Sequence, residues 1–243
     1  MPLKISFAGH NGNLLSGVIH GKPDDNYIII SVHGFGTDRD YKVLRELSKH
    51  FEKRKISTMR FDFSGVGDSE GDVSDSSIEQ MVDDLNAAVS YAKRTGFKKI
   101  IVAGHSLGGM VAILAAVMNK DIHALMLMAP AIDMKIAISR RKDTYKHIEG
   151  EMVEVAKTKV NKRFLENIER DAYDEAKKLN IPVLIIHGNR DRSCDILHSK
   201  KFYGMLKTAK KMVTIKNANH HFSKKTHLNM LLKEAHGWIT TLS

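Results

Sequence analysis

The chain has 243 residues, 42% of them hydrophobic and 27% charged, with a formal charge of +10 and a single cysteine, Cys194. That length and apolar content suit one α/β domain over residues 1–243. No apolar run reaches the ~18 residues of a membrane span, and residues 1–9 lack the charged start and apolar middle of a secretory signal. The expected compartment is therefore the cytoplasm, in keeping with a lone Cys194 that has no intrachain disulfide partner.

In chain order, residues 2–7 and 14–20 read as two strands joined through Gly9-His10-Asn11-Gly12, an antiparallel edge. The apolar run 27–32 suits a central strand buried on both faces and ends in His33-Gly34-Phe35-Gly36. Glycines flanking Phe35 can turn its N–H toward a neighbouring site, although an ordinary strand-to-helix turn has the same composition. His33, at the strand end, is expected to be a structural hydrogen-bonder. Residues 38–54 form an amphipathic helix with Leu44, Leu47 and Phe51 at helical spacing. The strand over 56–63 leads into Ser64-Gly65-Val66-Gly67-Asp68-Ser69. That glycine pair lacks the third glycine and immediate helix of a dinucleotide fingerprint, so Asp62 and Asp68 read as turn and capping residues. A helix over 76–94 follows, opened by Ser76 with Glu79 as a capping pair.

The most informative stretch runs over 100–109, Ile-Ile-Val-Ala-Gly-His-Ser-Leu-Gly-Gly, a short apolar strand passing through Gly104-His105-Ser106-Leu107-Gly108 into an Ala-rich helix. G-x-S-x-G between strand and helix is the context of a nucleophile elbow. The turn lifts Ser106 toward a base, and residues without Cβ let strand and helix approach.

Residues 124–129 are another buried strand. From 134 to 180 the composition turns charged, with apolar positions at helical spacing and no clear strand, which reads as a helical cap inserted between two central strands. Under that cap, Met134, Ile138, Met152, Val153 and Phe164 would line an apolar acyl pocket, though ordinary packing fits the same spacing. The strand over 181–186 ends in His187-Gly188-Asn189-Arg190-Asp191. The last strand, 211–216, precedes Asn217-Ala218-Asn219-His220-His221-Phe222 and an amphipathic helix through Trp238. Residues 181–243 carry 11 Lys and Arg against 3 Asp and Glu. Lys200-Lys201, Lys210-Lys211 and Lys224-Lys225 sit at element ends without aromatic interleaving, so this charge reads as a solvated face and not as a specific nucleic-acid site. Steering of anionic substrates and weak membrane-surface contact are the other uses such a face has.

Strands alternating with helices imply a parallel sheet whose loops gather at the strand C-terminal ends. Ser106, Asp191 and His220 all fall there, in the Ser, Asp, His order associated with this elbow. His221 competes with His220 and Asp195 with Asp191 for the same roles. On His33-Gly34-Phe35-Gly36, Arg60-Phe-Asp-Phe-Ser-Gly-Val-Gly-Asp-Ser69, Gly104-His105-Ser106-Leu107-Gly108-Gly109, Gly188-Asn189-Arg190-Asp191 and Asn219-His220, the chain resembles α/β-hydrolase-fold serine hydrolases over nearly its whole length. It is most similar to the branch of cinnamoyl (feruloyl) esterases, monoacylglycerol-lipase-like enzymes and serine-aminopeptidase-like hydrolases.

The resemblance implies a carboxylesterase without metal or cofactor, acting on a small-molecule ester. Ser106, Asp191 and His220 would be catalytic, and the N–H groups of Phe35 and Leu107 would form the oxyanion hole. An acyl-thioesterase or monoacylglycerol lipase would use the same residues, and a homodimer stays open. Leu107 stands where the esterases often carry Gln, and Cys194-Asp195 where the family tends to have Val and Pro. The missing His-Gly-Gly-Pro loop counts against peptidase activity. A more helical insertion than in the cinnamoyl esterases would count against phenolic esters.

Overall fold

A computed structural model describes residues 2–22, 27–139, 146–147, 150, 152–155, 158–167 and 170–242. The first two strands, β1 (Leu3–Ala8) and β2 (Leu14–His20), pair antiparallel as expected. The chain continues through β3 (Tyr27–Val32), α1 (Lys42–Glu52), β4 (Ser57–Phe61), α2 (Ile78–Arg94), β5 (Lys99–His105), α3 (Leu107–Met118) and β6 (Ile122–Met128). An insertion holds α4 (Met134–Ser139), β7 (Lys146–His147), β8 (Met152–Val155), β9 (Thr158–Asn161), α5 (Lys162–Asn167) and α6 (Tyr173–Ala176). The body resumes with β10 (Val183–Gly188), α7 (Ile196–Met205), β11 (Lys210–Ile215) and α8 (Lys225–Ile239). No described helix is long and apolar enough to cross a membrane.

Eight strands form one sheet in the order β1-β2-β4-β3-β5-β6-β10-β11. Every pairing from β4 onward is parallel. This explains the unbroken apolar runs of the central strands, because helices cover both faces. Along β3, Ile28, Ile30 and Val32 join the core that includes α2 and α3, while Ile29 points into the opposite core with Leu44, Leu47 and Phe51 of α1 and Leu231 and Trp238 of α8. In β5, Ile100 and Val102 face the first core and Ile101 and Ala103 the second. Residues 107–115 of α3 are buried all round, so this helix has no polar stripe.

Three local expectations are corrected. The cap of α2 is Ser77, whose side chain accepts from the Gln80 N–H at 3.0 Å, and not Ser76. Glu79 instead lies 3.7 Å from Arg170. Lys200 and Lys201 lie inside α7, a helix capped by Asp195 through the Leu197 N–H.

The third correction concerns the insertion, which is a mixed unit and not a helical one. Strands β7, β8 and β9 make a three-stranded antiparallel sheet beside the short helices α4, α5 and α6. Val153 and Val160 pair directly across β8 and β9, and both are buried. Two β-branched side chains facing one another in four-residue strands give the sheet its cross-strand contact. A strand that short shows too few alternations for its period to stand out in the sequence.

Candidate active site

The site begins with the turn between β5 and α3. Ser106 adopts φ 54° and ψ −121°, a left-handed conformation that a side chain enters only under constraint. The constraint is close backbone contact. A Cβ on Gly104 would stand 2.4 Å from the Gly108 carbonyl oxygen, and one on Gly108 would stand 2.4 Å from the carbonyl oxygens of Val32 and His33. Backbone hydrogen bonds then hold Ser106 from both sides: its N–H donates to Met128 O at 3.2 Å, and its carbonyl accepts from Gly109 N at 2.9 Å and Ala131 N at 3.0 Å.

Three predicted residues meet there. Asp191 Oδ2 lies 2.7 Å from His220 Nδ1, and His220 Nε2 lies 3.0 Å from Ser106 Oγ. With Nδ1–H donating a hydrogen bond to the ionised carboxylate, Nε2 is left as the acceptor for the serine hydroxyl. The two competing residues lie elsewhere. His221 is exposed and its Nδ1 pairs with the Tyr41 hydroxyl at 2.8 Å, while Asp195 caps α7.

Asp191 is held by more than His220. Its Oδ1 accepts from the N–H groups of Ser193 and Cys194, both at 2.8 Å, and its Oδ2 also meets His187 Nε2 at 3.1 Å. Burial alone would raise its pKa. The hydrogen bonds from His187 and His220, with the Cys194 N–H, outweigh that and hold the carboxyl well below the usual carboxylate range. His187 is fully buried, donates from Nε2 to Asp191 and to Cys194 O at 3.0 Å, and accepts at Nδ1 from Ser199 Oγ at 2.8 Å. The sequence offered one signal for it, an imidazole closing an otherwise apolar buried strand.

His105, inside the elbow motif, is a second residue to which the pattern gave no role. Its Nε2 donates to the carbonyl of His220 at 3.0 Å, and its ring packs 4.9 Å from that of His220 and 5.0 Å from that of Tyr41. Burial, reinforced by the neighbouring His220, pushes its pKa down to about 3, so it stays neutral. Burial likewise raises the Tyr41 phenol, with the Asp191 charge adding to it.

The loop after β3 passes against Ser106: a Cβ on Gly34 would lie 3.1 Å from Ser106 Cβ. His33 is the structural residue its position suggests, with Nδ1 donating to Gly34 O at 2.9 Å and Nε2 accepting from Phe63 N at 3.3 Å. Its burial pushes its pKa below the ordinary value. Asp62 and Asp68 do more than make turns. Both bond the Arg39 guanidinium, and Asp62 also accepts from Arg39 N at 2.7 Å and Asp68 N at 3.1 Å. Arg60 adds bonds to Asp40 at 2.6 Å and to Arg39 O at 2.8 Å, which fixes the loop against the end of β4.

The insertion touches this loop directly. Phe164 stacks on Phe35 with centroids 5.3 Å apart and an interplanar angle of 21°. A cavity of about 270 Å³ opens beside it, lined by Gly34, Phe35, Val66, Val73, Met81 and Thr158 among others. Of the residues expected to line an acyl pocket, Met134, Val153 and Phe164 are instead buried in the core shared with α2 and α3, and Met152 is half-buried and does not line the cavity. Their spacing is satisfied by packing onto the body. The side chain of Ile138 lies outside the described residues.

The serine aminopeptidase, S33 family matches residues 23–165, more than half of the sequence. The chain belongs to that family. Among relatives of this S33 hydrolase, a Mycoplasma pneumoniae protein named as an esterase/lipase is 32% identical over 46% of the chain and 41% of its own length, so the match spans less than half of that relative. Human ABHD12B is 28% identical over 76% of the chain and 51% of its own length. Est1E of Butyrivibrio proteoclasticus, solved with ferulic acid bound, superposes with a TM-score of 0.83 at 24% identity, covering 97% of this chain and 98% of Est1E. The Pyrococcus furiosus esterase PF2001 gives a TM-score of 0.80 at 17% identity, covering 100% and 91%. The fold is that of the α/β hydrolases.

Proposed function

We propose that this protein is a serine carboxylesterase that hydrolyses small to medium acyl esters through an acyl-enzyme on Ser106. The observation that carries the reading is the unbroken hydrogen-bonded line from Asp191 through His220 to Ser106, with contacts of 2.7 and 3.0 Å. His220 Nε2 takes the hydroxyl proton as Ser106 Oγ bonds to the acyl carbon, and returns it to the leaving alcohol as the tetrahedral intermediate collapses. Asp191 stays ionised throughout and orients the imidazole. The N–H groups of Phe35 and Leu107 receive the developing oxyanion, each contributing about 3 to 4 kcal/mol in comparable sites. Water, deprotonated by the same imidazole, then releases the acid. The cavity of about 270 Å³ beside Phe35 takes the acyl group, and the 134–180 insertion, through Thr158, closes it from above as a cap.

The test is covalent labelling by a fluorophosphonate together with turnover of a series of p-nitrophenyl esters. Labelling at Ser106, abolished in Ser106→Ala, with kcat/KM highest for short to medium chains is the expected result. A folded protein that neither labels nor turns over any ester, acyl-thioester or monoacylglycerol would sink the proposal.

A further inference from the structure

A second cavity, of about 400 Å³, is lined by Arg190, Arg192, Ser193, Asn217, Asn219, His220 and His221 and shares no lining residue with the first. Its lining differs sharply from that of the cavity beside Phe35. Two guanidiniums flank Asp191 in sequence, and both are exposed. Neither has a carboxylate partner among the described residues. The Asp191 oxygens make their hydrogen bonds to His187, His220 and two backbone N–H groups and not to these guanidiniums.

The frame that presents these groups is fixed by the backbone. Arg190 N–H donates to Ala218 O at 3.0 Å, Asn217 N–H to Asn189 Oδ1 at 2.6 Å, and Asn189 N–H to Ile215 O at 3.3 Å. The loops carrying the acid and the histidine are therefore zipped together, and the arginines project from the seam. Planar guanidiniums with free donors bind carboxylate and phosphate oxygens in bidentate fashion. The strongly basic last quarter of the chain adds a long-range field of the same sign.

The position of the cavity decides which part of a substrate it meets. His220 delivers a proton to the leaving oxygen, so the alcohol half of an ester must lie against the imidazole, while the acyl half lies toward the Phe35 loop. His220 lines the basic cavity, and Phe35 lines the apolar one. We propose that Arg190 and Arg192 form an anion-recognition subsite on the leaving-group side, selecting esters whose alcohol carries a carboxylate or phosphate. This rests on the esterase reading above and narrows its substrate class.

The experiment compares kcat/KM for three butyryl esters: neutral monobutyrylglycerol, butyryl glycerol 3-phosphate and butyryloxyacetate. The expected result is a preference of tenfold or more for one or both anionic esters, weakened by raised ionic strength because the guanidiniums are exposed. A preference for the phosphate ester alone identifies phosphate as the group recognised, and for butyryloxyacetate alone, carboxylate. In Arg190→Ala/Arg192→Ala the ratio of anionic to neutral turnover should collapse at least tenfold, Arg190→Lys/Arg192→Lys should keep part of it, and Arg190→Glu/Arg192→Glu should invert it. Melting curves check that each variant is folded. Equal turnover of charged and neutral esters by the native protein, or a preference that survives the alanine pair, overturns the subsite while leaving the esterase reading intact. Absence of both fluorophosphonate labelling and ester turnover removes both.

Discussion

The two sides of the site are built by different means. On the nucleophile side, five consecutive residues do the work: Gly104 and Gly108 admit backbone where any side chain would collide, and Ser106 is forced into a left-handed turn by the strand and helix that flank it. On the other side a Cβ on Gly188 would also collide, 2.3 Å from Ala218 O, and Asn217 and Phe222 have positive φ, but neither Asp191 nor His220 does. Asp191 and His220 are held by a spread of hydrogen bonds from residues near and far, among them His187, Cys194 and His105. Steric exclusion sets one position sharply, whereas the network divides its task among several weaker contacts. The first arrangement should therefore fail abruptly when altered, and the second by degrees.

The largest effect belongs to Ser106, the proposed nucleophile. Ser106→Ala should lower kcat by about 10⁴-fold or more without loss of fold, read by ester turnover against thermal melting. Next comes the scaffold. Gly108→Ala puts a methyl 2.4 Å from two backbone carbonyl oxygens, and since backbone cannot swing aside as a flexible side chain can, destabilisation of about 3 kcal/mol or more is expected by denaturant titration.

A smaller and graded loss should follow on the network side. His187→Leu removes one donor from Asp191 and strands the Ser199 hydroxyl, a cost of about 1–3 kcal/mol. If it falls on imidazole orientation, kcat drops by about tenfold to a hundredfold with KM little changed. A network that distributes its function predicts this residual activity; complete inactivation would contradict it.

The most gradual test is acidification. His33 and His105 have pKa values depressed by burial, His105 to about 3, so they stay neutral in the native state while the unfolded chain takes up protons below about 6.5. The unfolded state then binds more protons, and stability falls as pH drops below about 6.5, for His105 down toward about 3, by up to about 1.4 kcal/mol per pH unit; His33 adds a loss of the same sign. Melting temperature against pH measures this directly. His105→Gln, which retains a donor for the His220 carbonyl, should flatten the slope without removing the fold.

The same contrast explains what could be read from the sequence. Gly104, Ser106 and Gly108 were legible because a backbone demand leaves its mark on contiguous residues. Asp191 and His220 were legible from their place after β10 and β11, where the strand ends of a parallel sheet converge. His105 bonds a residue 115 positions away, and Arg39 bonds Asp62 and Asp68 across 23 and 29, so neither local pattern nor composition could reveal what these side chains hold. His187 is close to Asp191 in sequence, yet its geometry depends on Ser199 and on the turn between them. The strands of the insertion escaped for another reason, their length of two to four residues.

The stacking of Phe164 on Phe35 has an evolutionary consequence. Residues 33–36 are anchored to β4 through Arg39 and Arg60, and the insertion rests on them through that pair of rings. Lineages that exchanged the insertion to reach new substrates would inherit a misfit at position 35 unless both aromatic partners travelled together. Engineers grafting a foreign insertion onto this scaffold should accordingly treat positions 35 and 164 as one exchangeable unit.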